Sequence, residues 1–179
     1  MVFAHDTEWS LQAAVELANS ALEPDTLASV EDLQEFFDKH HYTGRHDASE
    51  DELTQVHALR ERLQQLFRAE RTDAVEMVNA MLAESQALPQ LVRHAPYDWH
   101  VHAVPADADL ATRIQVETAM AMIDVIRTDE LSRLGRCADD DCDGIVLDLS
   151  RNRSKRFCST TCGNRNAVAA YRARQSSSD

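Results

Sequence analysis

Four cysteines, Cys137, Cys142, Cys158 and Cys162, are the only ones in the 179-residue chain, and all fall between Arg136 and Arg165. They form two pairs, Cys-x4-Cys and Cys-x3-Cys, with fifteen residues between the pairs. A structural zinc ion takes four thiolates at about 2.3 Å in a tetrahedron, and two short-range pairs brought together by a hairpin supply that set. An iron–sulfur cluster uses the same ligands, usually with tighter Cys-x2-Cys spacing. Two disulfides would suit an oxidising compartment, but no signal peptide opens the sequence and a chain of this size does not demand staples. The expectation is one Zn2+ per chain in a reducing, cytoplasmic setting, with the cluster and the disulfides as alternatives. Asp139, Asp141, Asp143 and Gly144 also fall at positions one, three, five and six of a calcium-loop pattern. Position twelve is Ser150, where a bidentate glutamate is needed, and Cys142 interrupts the aspartates, so calcium is rejected here.

The elements that must position these sulfurs are short. After Cys142, Ile145, Leu147 and Leu149 alternate with Val146 and Asp148 as a strand would. The run Ser150–Phe157 is a polar turn expected to lead back to Cys158, which makes a hairpin. From Ser159 or Thr160, either of which can cap a helix, the sequence is alanine-rich and free of proline to Gln175. The order is knuckle, hairpin, helix, a treble-clef-like arrangement with the last two ligands at a helix start, where the helix dipole favours thiolate.

The run Cys162-Gly163-Asn164-Arg165, preceded by Ser150-Arg151-Asn152-Arg153-Ser154 and by Phe157-Cys158-Ser159, resembles the CGNR zinc finger. That finger closes bacterial proteins of a family described as "putative stress-induced transcription regulator", in which a mainly helical N-terminal region, the ABATE domain, precedes it. The resemblance implies zinc at Cys137, Cys142, Cys158 and Cys162 and a DNA-binding role for the finger. The N-terminal likeness lies in length, helical pattern and the LRERLQQLF-type helix. The fold class expected is mainly α, with a helical N-terminal domain carrying a small β-hairpin and a C-terminal treble-clef-like finger. The divisions are 1–134, 135–175 and a disordered tail at 176–179.

Charge divides along the same line. Residues 1–132 hold nine Lys/Arg against twenty-five Asp/Glu, whereas residues 133–175 hold nine against five. Between Leu149 and Gln175 there are seven basic residues and no acid. An acidic chain is repelled by nucleic acid overall, so contact with DNA must come through this patch. Its candidates are Arg151, Asn152, Arg153, Lys155 and Arg156 in the turn, with Asn164, Arg165 and Arg172 on the helix. Arginine forks match phosphate oxygens, and asparagine amides can bond backbone groups or a base edge. The bland alternatives are a solvated turn and, for Asn164 and Arg165, a buttress of the zinc loop. Val168 and Tyr171 are expected to pack on the hairpin or the helical domain.

The helical region reads clearly. Leu11, Ala14, Val15, Ala18 and Leu22 recur at helical spacing, with Asp6 or Thr7 as cap and Pro24 beyond. Ser29 with Asp32, and Ser49 with Glu52, resemble capping boxes for two more helices. A fourth near 73–87 presents Val75, Val78, Met81 and Leu82. The stretch 90–104 reads as two strands around Ala95-Pro96-Tyr97-Asp98. A last helix, about Ala108 to Leu134, is apolar nearly all round at 119–126 and belongs at the centre of the core.

No apolar run approaches the roughly twenty residues a bilayer needs, so no membrane association is expected. His100 and His102 share one side of the second strand, as metal ligands or a catalytic pair would, but no third ligand lies near them, and an ordinary strand face is expected. Trp9 and Trp99 are expected in core or hairpin packing rather than lining a pocket, and Met77, Met81, Met120 and Met122 in the core. No nucleophile elbow, phosphate loop or paired carboxylates stand out, so no enzymatic activity is expected. The function expected is a zinc-binding transcription regulator whose finger contacts DNA and whose helical domain senses a small molecule or a protein partner. The alternative is a zinc-stapled interaction module without nucleic acid, and a pocket enzyme ranks last.

Overall fold

A computed structural model of the chain describes residues 2–94 and 97–176. Among them six helices and two short hairpins run in the order α1 (His5–Asn19), α2 (Val30–Lys39), α3 (Glu50–Arg68), α4 (Arg71–Glu84), β1 (Gln90–His94), β2 (Tyr97–His102), α5 (Leu110–Arg127), β3 (Leu134–Arg136), β4 (Ile145–Leu147) and α6 (Thr160–Ser176). The fold is mainly α. Ala95 and Pro96, at the expected turn of the first hairpin, and 177–179, in the expected disordered tail, lie outside the described residues. Ser176, expected in that tail, closes α6.

Local chemistry explains most helix starts. At α2 the Ser29 hydroxyl accepts the Asp32 N–H while the Asp32 carboxylate accepts the Ser29 N–H, so the capping box closes. At α3 Ser49 accepts the Glu52 N–H, but the Glu52 carboxylate turns to the N–H groups of Asp47 and Ala48. The start of α1 differs from expectation. Ala4 holds the N-cap position with no side-chain bond, and the Glu8 carboxylate gathers the N–H groups of Val2 and Phe3. Thr7 is buried and donates to Asp124 on α5 at 2.7 Å.

Helix α5 is central as expected, packing against α1, α3 and α4, with Ile114, Ala119 and Met122 fully buried. It ends seven residues before Leu134. Asp129 adopts φ +59°, the Thr128 hydroxyl donates to the Asp124 carbonyl at 2.7 Å, and the Glu130 N–H returns to the Val125 carbonyl at 2.9 Å. This is a left-handed C-terminal turn made without glycine, which the sequence does not flag. On α4 the buried stripe is Ala74, Val78 and Met81, and Val75 is exposed. Helices α1 and α2 are tied by Glu16, whose carboxylate accepts from Lys39 at 2.7 Å and lies 3.1 Å from His40 Nε2.

The finger strand is where the structure departs furthest from the expected pairing. Strand β4 forms as predicted, but it pairs antiparallel with β3, ahead of the first cysteine pair, in the register Leu134↔Leu147, Gly135↔Val146 and Arg136↔Ile145. The segment after it stays irregular, because the buried Asp148 carboxylate accepts the N–H groups of Ser150 at 2.8 Å and Lys155 at 2.7 Å and so curls the loop upon itself. All three residues of β4 are buried. Ile145 and Leu147 belong to the core of the helices, while Val146 belongs to a second cluster with Cys137 and Cys162.

Polar contacts reinforce the junction. The Asn19 side chain, at the end of α1, donates to the Ile145 carbonyl at 2.9 Å and accepts the Ile145 N–H at 2.7 Å, standing in for a neighbouring strand. Arg133, buried, reaches Glu130 and the carbonyls of Asp148 and Ser150. Arg68 of α3 donates to the Asp143 carbonyl.

Replacing Asn19 by alanine strands both backbone groups of Ile145 and should cost about 1–3 kcal/mol in chemical denaturation, while zinc content holds because no ligand is touched. A second outcome concerns acid. The hydrogen bond from His40, opposed in part by burial and reinforced by Lys39, lowers the Glu16 carboxyl from 4.5 to about 2. A depressed folded value means that the stabilisation is present above pH 4.5 and is lost as pH falls through about 2. Between those limits the melting temperature of the parent should fall more steeply than that of Glu16→Gln.

Candidate functional site

The four sulfurs converge from three local structures. Cys137 follows β3, Cys142 closes a turn in which its N–H donates to the Asp139 carbonyl at 3.0 Å, and Cys158 and Cys162 flank the start of α6, where the Ser159 hydroxyl accepts the Cys162 N–H at 3.2 Å. Their Sγ atoms all lie within 4.8 Å of one another. Cys142 and Cys158 are 3.6 Å apart and Cys158 and Cys162 are 3.8 Å apart. Four thiolates at about 2.3 Å from a central ion sit about 3.8 Å from one another by tetrahedral geometry. All four cysteines are free, which sets the disulfide alternative aside. An iron–sulfur cluster needs its thiolates spread around several metal atoms, wider than this set.

The surroundings fit a cation. The N–H groups of Gly144 and Cys158 point at the sulfurs of Cys142 and Cys137, each at 3.4 Å. A Cβ at Gly144 would meet the Cys158 sulfur at 2.7 Å and the Cys142 sulfur at 3.3 Å, so glycine is what admits the two sulfurs here. Burial, then the neighbouring sulfurs of Cys142, Cys137 and Cys162, push the Cys158 thiol well up. Four thiolates this close ionise together only around a positive ion. The site suits one zinc ion.

Of the eight residues expected to face nucleic acid, all are exposed, but two are engaged within the chain. Arg165 Nε donates to the Asp139 carboxylate at 2.7 Å, and a terminal nitrogen lies 3.7 Å from the Cys162 sulfur. Asp139 is buried, and Arg165 beside it, working against burial, holds its carboxyl below the usual range. This pair locks the first knuckle to α6, the buttress that spacing alone left open. Arg153, at φ +49°, bonds Glu130 and Ser132 and so ties the basic loop to the end of α5. Arg151, Asn152, Lys155 and Arg156 stand around the loop, with the Arg156 guanidinium 5.8 Å from the Phe157 ring centre. Asn164 and Arg172 lie on exposed α6. Val168 and Tyr171, expected to pack, are 48% and 58% exposed, because α6 leaves the body after Asn166.

A second site emerges in the helical region. A cavity of about 420 Å³ opens between the start of α1, the turn after α2, strand β2 and α5. Trp9 and Trp99, expected in packing, line it instead and are 42% and 64% exposed. His100 and His102 do share a face, with their Nε2 atoms 2.9 Å apart, and both line the cavity. Tyr42 and Glu117 at its floor were not anticipated. No local pattern singles them out, since α5 also carries Arg113, Gln115 and Asp124.

Removing zinc should unfold the finger, and because Ile145 and Leu147 belong to the main core, the loss should reach the helices. Elemental analysis should give one zinc per chain, and chelation should lower the melting temperature of the whole chain. Arg165→Ala should weaken zinc binding by about 10–100-fold, as loss of a ligand-orienting partner does, read by competition with a chromogenic chelator. Unchanged zinc affinity would remove Arg165 from the metal site.

Two family comparisons match. Residues 133–175 match the CGNR zinc finger family. Residues 11–129 match the ABATE family, described as "putative stress-induced transcription regulator". Neither family is described as an enzyme. A search of curated proteins returns no match. No helix among the described residues is long and apolar enough to cross a membrane. With the ABATE match covering well over half of its residues and the zinc-finger match following it, the chain belongs to the ABATE family and ends in a CGNR zinc finger.

Proposed function

We propose that the chain is a DNA-binding transcription regulator whose finger meets DNA through its basic loop and whose helical region senses a ligand or partner. The observation that carries the reading is the loop Arg151–Arg156, which is exposed and free of acidic residues in a chain of net charge −13. The loop is also held in one conformation by Asp148 and by the Arg153 pair. Arg151, Lys155 and Arg156 present positive charge to phosphate oxygens, with Arg172 extending the surface along α6. Asn152 and Asn164 are the polar groups able to bond phosphate or a base edge. Arg153 and Arg165 act on this surface from behind, by fixing the loop and the knuckle. The family description as a transcription regulator supports the same reading.

A different observation favours the alternative of a protein-interaction module without nucleic acid: Val168 and Tyr171 stand exposed on the same helix as Arg172. The two readings part on salt. Fluorescence anisotropy with duplex DNA should show affinity falling steeply with ionic strength. The triple substitution Arg151→Glu, Lys155→Glu and Arg156→Glu should weaken binding to every sequence and flatten the salt slope by about 0.9 for each phosphate no longer neutralised. Zinc content and melting temperature should hold, since all three side chains are exposed. Absence of salt-dependent DNA binding in the zinc-loaded parent would favour the interaction module.

A further inference from the structure

The cavity in the helical region is lined by two polar groups that have no partner among the described residues. The Glu117 carboxylate and the Tyr42 hydroxyl face it, and among the described residues neither has a hydrogen-bond or ion-pair partner. Arg113, one turn before Glu117 on α5, does not pair with it. Its guanidinium donates to the carbonyls of Thr43, Arg45 and Ala108. Glu117 and Tyr42 are both half-buried and open to the cavity, so a ligand group that enters meets an acceptor and a donor with no competing partner among the described residues. Burial raises the Glu117 carboxyl from 4.5 to about 7, with Arg113 pulling the other way. A carboxyl that opens onto an aromatic-walled cavity is a point of attachment for a ligand.

The charge of the lining selects the ligand. Among the described residues the cavity wall contains the carboxyl groups of Asp6 and Glu117, no lysine or arginine, and the histidines His5, His40, His41, His100 and His102, of which His40 is engaged by Glu16. The Nε2 atoms of His100 and His102 lie 2.9 Å apart, so each of these nitrogens is occupied by the other. Trp9 and Trp99 offer indole faces, which attract cations as well as apolar surface. The volume of about 420 Å³ lies in the range of small-molecule pockets.

We propose that this cavity binds a small organic cation with a flat apolar body, its nitrogen donating to Glu117 and Tyr42 and its body lying along Trp9 and Trp99. The inference rests on the reading of the helical region as a sensor and gives that sensor a ligand class. His40 lines this cavity and also the groove between the helices and the finger, where Lys155 and Cys158 form the facing wall. Ligand and finger are therefore one side chain apart.

Isothermal titration of the zinc-loaded full chain with tryptamine, tryptophol and indole-3-acetate separates cation, neutral and anion on one shape. Tryptamine should bind one per chain and about tenfold or more tighter than tryptophol, as expected for a hydrogen bond to a charged group, and indole-3-acetate should give no heat. Glu117→Gln should abolish the preference for tryptamine over tryptophol with the far-ultraviolet circular dichroism unchanged. Trp99→Ala, at an exposed position that leaves the core intact, should weaken tryptamine in an otherwise unaltered fold, and it keeps the test valid if Glu117→Gln does not fold. Tightest binding of the anion, a tryptamine preference that survives Glu117→Gln, or no heat with any of tryptamine, phenethylamine and benzyltrimethylammonium would overturn the inference. So would stoichiometric uptake of Ni2+ beyond the zinc, lost in His102→Ala, since that would make the cavity a metal site. DNA affinity measured on the same preparations keeps the failures apart. No cation binding with DNA binding intact overturns only this site, whereas cation binding that leaves DNA affinity unmoved supports the site and overturns the sensing role.

Discussion

A three-residue strand has two faces, and in β4 both are buried. Ile145 and Leu147 point into the helices while Val146 points at the cysteines, so one short backbone segment is common to two cores. The constraint is the period-two geometry of an extended chain, which sends alternate side chains in opposite directions. The second core is too small to stand alone: Cys137, Val146 and Cys162, with Cys142, Phe157 and Cys158 around them, bury little apolar surface. Metal ligation supplies what this cluster lacks, and the helices supply the other wall of the strand. Each half of the molecule thus finishes an element of the other, and the metal site is a structural member of the whole chain rather than an appendage.

Electrostatics at the junction follow the same logic of partial commitment. Of the positive charges in the finger, Arg133, Arg136, Arg153 and Arg165 are committed to Glu130, Asp143, carbonyl oxygens or Asp139, and they fix the shape of the loop and the knuckle. Those left facing solvent sit on a frame that others have made rigid. A surface that must meet an anion at defined geometry loses less conformational entropy when its backbone is already held. The acidic helices, in turn, confine any nucleic-acid contact to this one end of the molecule.

Much of this architecture was legible in the residues. The cysteine spacing predicted the metal site, Ser29 with Asp32 predicted the start of α2, and the apolar run at 119–126 predicted the central helix. What the sequence hid was whatever depends on long-range partners. That β4 pairs backward with β3 cannot be read from alternation, which identifies a strand but not its neighbour. The end of α5 was hidden because Asp129, not glycine, takes the left-handed position. Arg165 looked equally suited to phosphate and to the knuckle, and the bond that ties it to the knuckle depends on the position of Asp139, which spacing does not reveal. The cavity escaped notice because its walls come from four separated segments, and one glutamate among the other polar residues of α5 has no local signature.

The Asn19 amide that completes β4 also bears on how the chain assembles. Its partner Ile145 lies 126 positions away. Closing a loop of that length costs entropy before the interactions it permits are gained, so long-range pairings form late. The turn from Cys137 to Cys142 and the start of α6 are local and can gather around a metal early, as can the individual helices. The joining of finger to helices therefore belongs among the late steps of folding, together with the packing of α1 on α5, whose Thr7–Asp124 bond spans 117 positions. A nascent chain passes through a stage in which the edge later covered by Asn19 lies open, and open strand edges pair with other chains. The same side chain that seals the native junction is the one that retires this exposed edge.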